Sequence, residues 1–506
     1  MSQVAKIYSA EIEGVEAIPV EVETDVSVGL HNFSIVGLAD KALSEAKERV
    51  NSAIKNVGIR APSQENRKIV VNLAPGDLKK SGTQYDLPIA LGYLMANQQV
   101  RADNLNDCLF AGELSLRGGL RRINGALSIA HLAKALRKKK LYISADSAEE
   151  AALVPEVQVF PISTLQEIID HLEGRKLITP LKPTKPESVD EEVVVDIADI
   201  KGQELGKRAL MICAAGGHNL LMSGPPGTGK SMLAQALASV LPKLRLEEII
   251  ELTKIYSSAG LLNGAYVKQR PFRSPHQSAS VPAIVGGGQT PRPGEISLAH
   301  KGVLFLDEMP EFRRDLLESL RQPLESGRAL ISRVRGNLVF PAEFVLVAAM
   351  NPCPCGYLND EEKTCKCSAH EVLRYRKKIS GPLLDRIDIQ IHVPRIKLEE
   401  LKRERNAQTL DSSQVRDKIE AARDRQMKRQ GRLNSALSSK GIERIVNLSP
   451  EADDFAKRAF QENAMSTRAY FRALKTARTI ADLEGREVIK KGDLAEAFQY
   501  RIREDG

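Results

Sequence analysis

A glycine-rich segment, Gly224-Pro-Pro-Gly-Thr-Gly-Lys-Ser231, is the feature that most constrains how this chain folds. It follows the apolar run Leu220–Met222 and precedes Met232–Val240, whose apolar residues recur at helical spacing. A strand, a glycine turn and a helix in this order form a phosphate-binding loop, because backbone N–H groups converge on the anion at the helix N-terminus. The alternative, a chance glycine-rich turn, does not need the strand, the lysine, the serine and the helix together.

The predicted nucleotide contacts are Gly224, Pro225, Pro226, Gly227, Thr228, Gly229, Lys230 and Ser231. In a loop of this kind the lysine reaches the β- and γ-phosphates, and the serine hydroxyl ligates Mg²⁺. We therefore expect ATP and Mg²⁺ as cofactors, with Lys230 on the phosphates and Ser231 on the metal.

Two later apolar runs end in polar side chains. Val303–Leu306 is followed by Asp307 and Glu308, and Phe344–Met350 is followed by Asn351. Strand ends are where α/β sheets place their ligands. Asp307 would hold the Mg²⁺ shell and Glu308 would position and polarise an attacking water. Asn351 would reach the γ-phosphate; the alternative is a turn-forming asparagine before proline.

The 506 residues are enough for about three domains. Residues 1–172 mix strand and helix patterns, and residues 173–192 carry Pro180, Pro183 and Pro186 without a period, which is typical of a linker. Residues 193–395 alternate strands and helices, the pattern of a parallel α/β core. Residues 396–506 are helical, with Ser449 capping one helix and Ser466 or Thr467 the next.

Composition limits the kinds of partner that the chain can be expected to bind. The net charge is +8, from 73 basic and 65 acidic residues, which permits nucleic-acid binding without demanding it. The absence of Trp and the 4% aromatic content argue against a base-stacking surface and favour phosphate contacts. The chain has no apolar run of bilayer length and no basic start followed by an apolar block. We expect a cytoplasmic protein with no membrane partner.

The order of these motifs resembles an AAA+ ATPase once Gly381-Pro-Leu-Leu-Asp-Arg-Ile-Asp388 is added. More narrowly it resembles the magnesium-chelatase-like branch, and most of all the ComM/YifB family. The segments that carry the resemblance are Arg270-Pro-Phe-Arg-Ser-Pro-His276, Pro291-Arg-Pro-Gly-Glu-Ile-Ser-Leu298 and Asp307-Glu-Met-Pro-Glu-Phe312. The resemblance implies an AAA+ P-loop α/β core followed by a C-terminal helical lid.

The resemblance also implies roles for single residues. Asn351 matches the first sensor, Arg386 the arginine finger that reaches a neighbouring subunit, and Arg468 the second sensor on the lid. Gln203 lies in a segment that resembles the one packing on adenine. For Arg386 the alternative is an ion pair with Asp385 or Asp388. A finger acting between subunits implies an oligomer, and the family implies a homo-hexameric ring.

The N-terminal domain resembles the Lon-protease-like fold of the ribosomal S5 superfamily, an α+β fold. The resemblance lies in Ala74-Pro-Gly-Asp-Leu-Lys-Lys-Ser-Gly82 and Gly112-Glu-Leu-Ser-Leu-Arg-Gly118. Where that family has its Ser–Lys pair, this chain has Gln84 and Leu127. Gln is no nucleophile and Leu is no base, so we expect a catalytically inactive domain unless Ser81 serves instead.

The cysteines fall into two groups. Cys108 and Cys213 stand alone in apolar surroundings and are expected in the core. Cys353-Pro-Cys355 and Cys365-Lys-Cys367 form two close pairs, which suit a tetrahedral structural Zn²⁺ in an insertion at residues 353–367. His370 is near enough to replace one thiol. A disulfide pair and an inert loop are the alternatives.

Basic residues lie in the insertions around the acidic strand. The candidate DNA contacts are Lys268, Arg270, Arg273, Arg292, Arg333 and Arg335, with His276 in the same insert. The resemblance implies that these insertions line the pore of a ring, where cations would bind the phosphate backbone. The alternative is that the arginines brace a subunit interface.

The resemblance implies a DNA motor, with helicase and branch-migration activity that extends heteroduplex during homologous recombination in natural transformation. Single-stranded or branched DNA would be its substrate, and recombination proteins its further partners. The alternatives are a chelatase-type remodeller of a protein partner, an ATP-dependent protease, and a scaffold whose ATPase serves only assembly.

Overall fold

The computed structural model describes residues 4–38, 40–102, 105–186, 195–288, 291–333, 336–396, 410–462 and 466–501. The chain forms two compact units. The first comprises Met1–Ser188 with Arg245–Lys268, and the second comprises Val189–Leu244 with Gln269–Gly506. No helix among the described residues is both long and apolar enough to cross a bilayer.

The first unit contains a four-stranded sheet, a three-stranded sheet and a short hairpin. The strands are β1 (Ala5–Glu13), β2 (Glu16–Val28), β3 (Asn32–Val36), β4 (Arg67–Ala74), β5 (Cys108–Ala111), β6 (Glu113–Leu114), β7 (Leu120–Arg121), β8 (Lys140–Ser144) and β9 (Gln158–Ile162). The larger sheet has the order β1-β2-β4-β3, with only β3 and β4 parallel. The smaller, β5-β8-β9, is parallel throughout.

The helices of the first unit cover these sheets. They are α1 (Lys41–Ser44), α2 (Ala46–Asn56), α3 (Asp86–Ala96), α4 (Ala126–Ala135), α5 (Ala145–Ala151) and α6 (Leu165–Leu172), and later in the chain α9 (Leu246–Ala259). Helix α3 is buried from Asp86 to Leu94 and forms the centre of the core. The mixed α+β architecture agrees with the strand and helix patterns of the sequence.

Residues 245–268 lie inside the stretch predicted as the ATPase core, yet they pack with the first unit. Helix α9 buries Ile249, Leu252 and Ile255. Its Ser257 hydroxyl accepts a 2.7 Å hydrogen bond from the N–H of Gly125, at the start of α4. The alternating pattern of residues 193–395 does not indicate that this segment belongs to the other unit.

The second unit is built on a parallel five-stranded sheet of order β11-β14-β17-β10-β18. Its strands are β10 (Leu220–Ser223), β11 (Phe272–Arg273), β14 (Val303–Leu306), β17 (Val345–Met350) and β18 (Ile389–His392). Two antiparallel hairpins accompany it: β12 (Gly286–Gly287) with β13 (Arg292–Pro293), and β15 (Arg328–Arg333) with β16 (Gly336–Pro341). The parallel α/β core expected from the alternating pattern is confirmed.

The helices of the second unit surround the sheet and form its helical C-terminal region. They are α7 (Glu204–Gly216), α8 (Lys230–Val240), α10 (Val281–Val285), α11 (Glu295–Leu298), α12 (Arg314–Ser319), α13 (Arg321–Ser326), α14 (Ala369–Arg376), α15 (Gly381–Leu384), α16 (Ser412–Gln430), α17 (Ser439–Ile445), α18 (Pro450–Glu462), α19 (Thr467–Leu483) and α20 (Lys491–Gln499). The caps expected from sequence are present: Pro450 opens α18, and the Ser466 side chain accepts from the N–H of Ala469 at the start of α19.

A glycine fixes how closely β11 approaches β14. A Cβ at Gly302 would lie 2.1 Å from the carbonyl oxygen of Pro271. Backbone cannot retreat from such a contact without breaking the strand pairing that Phe272 makes with Val303.

We expect Gly302→Ala to lower stability by about 1–3 kcal/mol, the usual cost of overpacking. Gly492→Ala is the matched control, because a Cβ there meets no atom within 4 Å. That change should be neutral or stabilising by up to about 1 kcal/mol, since alanine is the better helix former. Thermal unfolding followed by circular dichroism measures both, and equal midpoints for the two variants would contradict the packing argument.

Candidate nucleotide and metal sites

The glycine-rich loop lies between the carboxyl end of β10 and the first turn of α8, as the sequence predicts. Gly227 and Gly229 have φ of 78° and 86°, a conformation that side chains other than glycine seldom adopt. Gly224 cannot carry a side chain either, because its Cβ would lie 2.2 Å from the carbonyl oxygen of Val393. These glycines keep the loop tight and leave its backbone N–H groups accessible to phosphate.

Lys230 is the first residue of α8 and is 8% exposed. Its ammonium donates to the carbonyl oxygens of Gly224 at 2.8 Å and Pro225 at 2.7 Å. Burial lowers the pKa of Lys230, while Asp307 and Glu308 act in the opposite direction. The loop therefore holds a desolvated cation at its rim, which is the group that the β- and γ-phosphates need.

A hydroxyl and a carboxylate meet beside this lysine. Ser231 Oγ donates to Asp307 Oδ2 at 3.0 Å, and Asp307 follows directly on β14. Both are hard oxygen donors of the kind that Mg²⁺ prefers. The structure thus brings together the two residues that the sequence assigns to the metal.

Glu308 takes the left-handed conformation, with φ of 50°. Its N–H donates to Asp307 Oδ1 at 2.9 Å, and its side chain is exposed. Non-glycine residues in this conformation cluster at functional sites. The turn separates the two adjacent acids, so that one lies against Ser231 and the other remains open to solvent.

Asn351 and Gln203 approach the same loop from other elements. Asn351 follows β17, and its Oδ1 lies 3.5 Å from Lys230 Nζ. Gln203 precedes α7, and its amide donates to the carbonyl oxygens of Thr228 and Pro394 at 3.3 and 2.7 Å. Both side chains predicted at the nucleotide site are therefore placed at the loop.

Arg386 and Arg468 share a carboxylate neighbour that no sequence pattern singles out. Arg386 Nη2 lies 2.5 Å from Glu325 Oε2, at the end of α13. Arg386, and more weakly Arg468 and Arg472, lower the pKa of Glu325. Arg468 itself is exposed. Arg386, the arginine finger candidate, is only 14% exposed and is held by Glu325.

A buried network joins the segment of Arg386 to the helical region. Asp388 accepts from Arg472 Nη1 at 2.7 Å and lies 3.1 Å from His218 Nδ1. Burial alone would raise the pKa of Asp388, but Arg472 and His218 more than offset it and hold the pKa below its usual value. Arg472 lies one turn after Arg468 on α19. The network thus ties helix α19, which carries Arg468, to the segment that carries Arg386.

The four clustered cysteines converge on one point. The sulfurs of Cys353, Cys355, Cys365 and Cys367 all lie within 4.8 Å of one another, and all four residues are free thiols. The Cys353–Cys355 and Cys353–Cys365 sulfur distances are 3.4 and 3.6 Å. A tetrahedron of thiolates around Zn²⁺ has edges of about 3.8 Å, given Zn–S bonds of about 2.3 Å. The cluster has the geometry to hold a metal ion.

Local backbone groups favour the thiolate of Cys355, whereas burial and the neighbouring thiols raise the pKa values of Cys365 and Cys367. The N–H groups of Lys366 and Tyr357 donate to Cys355 and lower its pKa to about 6. Arg395 fixes the same loop through Asp360, at 2.7 Å. A Cβ on Gly356 would come within 2.8 Å of Pro226, so the loop packs directly against the glycine-rich loop.

The candidate DNA contacts have different surroundings. Arg270 donates to the carbonyl oxygens of Pro242 and Lys301, and Arg273 forms a two-pronged pair with Glu295 at 2.7 Å. Lys268 and Arg292 are exposed. Arg335 lies outside the described residues, and the side chain of Arg333, on β15, is likewise not described.

The first unit contains a buried cluster where its peptidase resemblance would place catalysis. Ser81 Oγ donates to Glu11 at 2.8 Å, and the Tyr85 hydroxyl donates to the same carboxylate at 2.6 Å. Burial raises the pKa of Glu11 to about 7. Lys80 Nζ donates to the carbonyl oxygen of Pro75 rather than to Ser81. Leu127 is fully buried. The Ser–Lys arrangement of the peptidase is not formed by these residues.

Comparison with protein families covers most of the chain. The family described as magnesium chelatase, subunit ChlI, matches residues 196–401, and the one described as subunit ChlI of Mg-chelatase matches residues 22–147. The magnesium chelatase subunit ChlI C-terminal family matches residues 409–501. Fold, glycine-rich loop and these matches define the class: a magnesium-chelatase-like protein of the AAA+ type.

Full-length relatives narrow the class. The competence protein ComM of Haemophilus influenzae is 44% identical over 505 residues, covering 98% of this chain and 97% of its own. The uncharacterized protein YifB of Escherichia coli is 43% identical over 500 residues, covering 98% and 96%. A magnesium-chelatase 67 kDa subunit of Chlorobaculum tepidum is 27% identical over 163 residues, which cover 31% of this chain and 24% of its own. The chain belongs to the ComM/YifB family.

We expect Glu308→Gln to bind ATP normally but to lose turnover by about 100-fold or more, the usual contribution of a positioned base. Lys230→Ala should instead lose ATP binding. Glu451→Gln is the matched control, because Glu451 is exposed on α18, a helix that contributes no residue to the glycine-rich loop. Fluorescent-nucleotide binding and phosphate release measure the two steps; wild-type turnover by Glu308→Gln would remove that residue from the chemistry.

We also expect one Zn²⁺ per chain, lost in Cys355→Ser and kept in Cys108→Ser. Cys108 is the control because it lies on β5, far along the chain from the cluster, and is buried in the core. Elemental analysis of the purified proteins measures the metal, and thermal unfolding should show a lower midpoint for Cys355→Ser. Metal-free wild type, or zinc retained by Cys355→Ser, would exclude the four-cysteine site.

Proposed function

We propose that this chain is an ATP-driven DNA motor that acts as a homo-hexameric ring. Its activity would be that of a helicase promoting branch migration, which extends heteroduplex in homologous recombination during natural transformation. The observation that carries the proposal is the assembled nucleotide site in a chain that is 44% identical, over 98% of its length, to a competence protein.

The hydrolysis step follows from the side chains around the loop. Mg²⁺, held by Ser231 and Asp307, would neutralise the phosphate oxygens. Glu308 would orient the water that attacks the γ-phosphorus while the bond to the bridging oxygen breaks. Lys230 and Asn351 would lie where negative charge develops on the γ-phosphate, which would stabilise the transition state electrostatically.

The arginines supply the coupling between subunits in this proposal. Arg386 would leave Glu325 for the γ-phosphate of a neighbouring subunit's ATP, because a triphosphate is the stronger anion. Arg468 would follow because it lies on the same helix as Arg472, which is bound to Asp388. ATP binding would thereby close a subunit interface, and hydrolysis would reopen it.

The zinc cluster would have a structural role. Four sulfurs leave no open coordination position for substrate. The cluster lies between Asn351 and Arg386 in the chain, and its loop packs against Pro226. A bound Zn²⁺ would therefore fix one wall of the nucleotide site rather than take part in the chemistry.

A protein cargo is the second candidate, because the matching family models are described by the chelatase subunit ChlI. Against it, the Chlorobaculum chelatase subunit aligns with only 31% of this chain, whereas the competence protein aligns with 98%. The peptidase alternative is disfavoured because the Ser81 hydroxyl donates its hydrogen bond to Glu11 and is not paired with a lysine.

We expect the wild type to release a strand from forked or three-stranded DNA when ATP and Mg²⁺ are present. Glu308→Gln should bind the same DNA without releasing a strand, because hydrolysis drives each cycle. Gel separation of the released strand measures the activity. Absence of release by the wild type, together with an ATPase rate that DNA does not change, would contradict the motor and direct the search to a protein cargo.

A further inference from the structure

A cavity of about 490 Å³ lies beside the acidic turn of the nucleotide site, between the segment after Glu308 and helix α14. Its floor is apolar, with buried Pro310 and Phe312. Five of its lining residues carry basic side chains: Arg314, His370, Arg374, Lys377 and Lys378. None of these is among the residues that the sequence motifs single out as DNA contacts.

Part of this charge is not balanced by acids: Arg314 and His370 interact electrostatically with Glu318 and Glu371, whereas Arg374 and Lys377 pair with no acid among the described residues. Lys378 is paired with Glu311 at 3.1 Å, and Glu311 is the only acid among the described residues that line the cavity. Among the described residues no salt bridge is formed by Arg314, Arg374 or Lys377. Their side chains are exposed. Uncompensated cations around a cavity favour an anionic ligand from outside the chain.

The spacing of the cations suits a polymer of phosphates better than a single anion. His370, Arg374 and Lys377 recur at helical intervals, so they share one face of α14 and its end. From His370 to Lys377 the helix axis advances about 10 Å, at about 1.5 Å per residue. Phosphates on one DNA strand advance about 3.4 Å per nucleotide, so the row spans about three of them.

The same helix contacts the nucleotide site. Tyr375 is buried on α14, where burial and Glu311 raise the pKa of its hydroxyl to about 12 and the backbone of Asn351 acts in the opposite direction. On the other side of the cavity, Glu311 lies in the turn that begins at Glu308. A ligand drawing Lys378 away from Glu311 would act on that turn directly. Occupancy of the cavity can thus influence the ATPase residues.

We propose that this basic cavity binds the phosphodiester backbone of DNA and couples that binding to ATP hydrolysis. The proposal rests on the DNA motor proposed above and assigns it a contact surface on α14. Recognition would be independent of sequence, since phosphates and not bases are contacted.

The test compares Arg374→Ala/Lys377→Ala with Lys418→Ala/Lys440→Ala. The control removes the same charge from exposed residues of α16 and α17. Binding of fluorescent single-stranded oligodeoxythymidine is measured by anisotropy with a slowly hydrolysed ATP analogue, at salt concentrations from about 50 to 200 mM, a range in which phosphate contacts dominate affinity.

We expect the cavity variant to bind more weakly. The slope of log affinity against log salt should fall in magnitude by about 0.7 for each phosphate of single-stranded DNA that the variant no longer neutralises. DNA stimulation of its ATPase should be abolished, while basal ATPase remains. The control variant should match the wild type in the salt dependence of DNA affinity, in DNA stimulation of the ATPase and in basal ATPase. Arg374→Lys/Lys377→Arg should restore both slope and stimulation, which excludes a folding defect.

Each remaining outcome overturns the proposal in a distinct way. If the wild type does not bind DNA, both the proposed DNA motor and the proposed contact surface on α14 are contradicted. If the wild type binds DNA and the cavity variant keeps the wild-type salt dependence, only the contact surface on α14 is contradicted. A cavity variant with an unchanged slope but a smaller oligomer on size-exclusion chromatography assigns the basic residues to a subunit interface.

Discussion

Parallel pairing of β10 with β17 on one side and β18 on the other sets the positions of the glycine-rich loop and of Asn351. Leu220 is opposite Val347 and Ile389, so the carboxyl ends of the strands reach the same edge of the sheet. The glycine-rich loop, Asn351 and the segment after β18 therefore leave the sheet side by side. Because β14 pairs in parallel with the other side of β17, Asp307, which follows β14, lies at the same edge of the sheet.

Desolvation strengthens the electrostatic interactions of the charged groups in this arrangement. The ammonium of Lys230 is buried against backbone carbonyls, and its lowered pKa reflects the cost of that burial. Charge interactions are stronger where water is excluded, so a phosphate bound beside Lys230 would be stabilised more than a phosphate at the surface. The same reasoning explains Asp388, whose burial would be costly without Arg472 and His218. Two buried charges thus hold the sheet, the loop and the helical region in one geometry.

The sequence predicted the α/β core, the helical C-terminal region and most element positions because these depend on local periodicity and caps. Strand β14 and the cap at Ser466 agree closely with the predicted pattern. Helix α9 shows where that approach fails. The sequence pattern places its residues in the ATPase core, but they pack with the first unit, and Ser257 accepts a hydrogen bond from Gly125, more than a hundred residues earlier.

The candidate site divides in the same way. Sequence alone identified the glycine loop, the paired acids and the four cysteines, because each chemistry requires particular residue types at short spacing. It did not identify Glu325, His218 or the basic cavity on α14, whose members are distant in sequence and ordinary in type.

Only the tertiary structure decided what these residues do together. It placed Arg386 against Glu325 and Arg472 against Asp388, and it left Arg374 without an acidic partner among the described residues. The physical reason is that backbone preference and motif spacing act over a few residues, whereas burial and charge pairing depend on which surfaces meet when the chain folds.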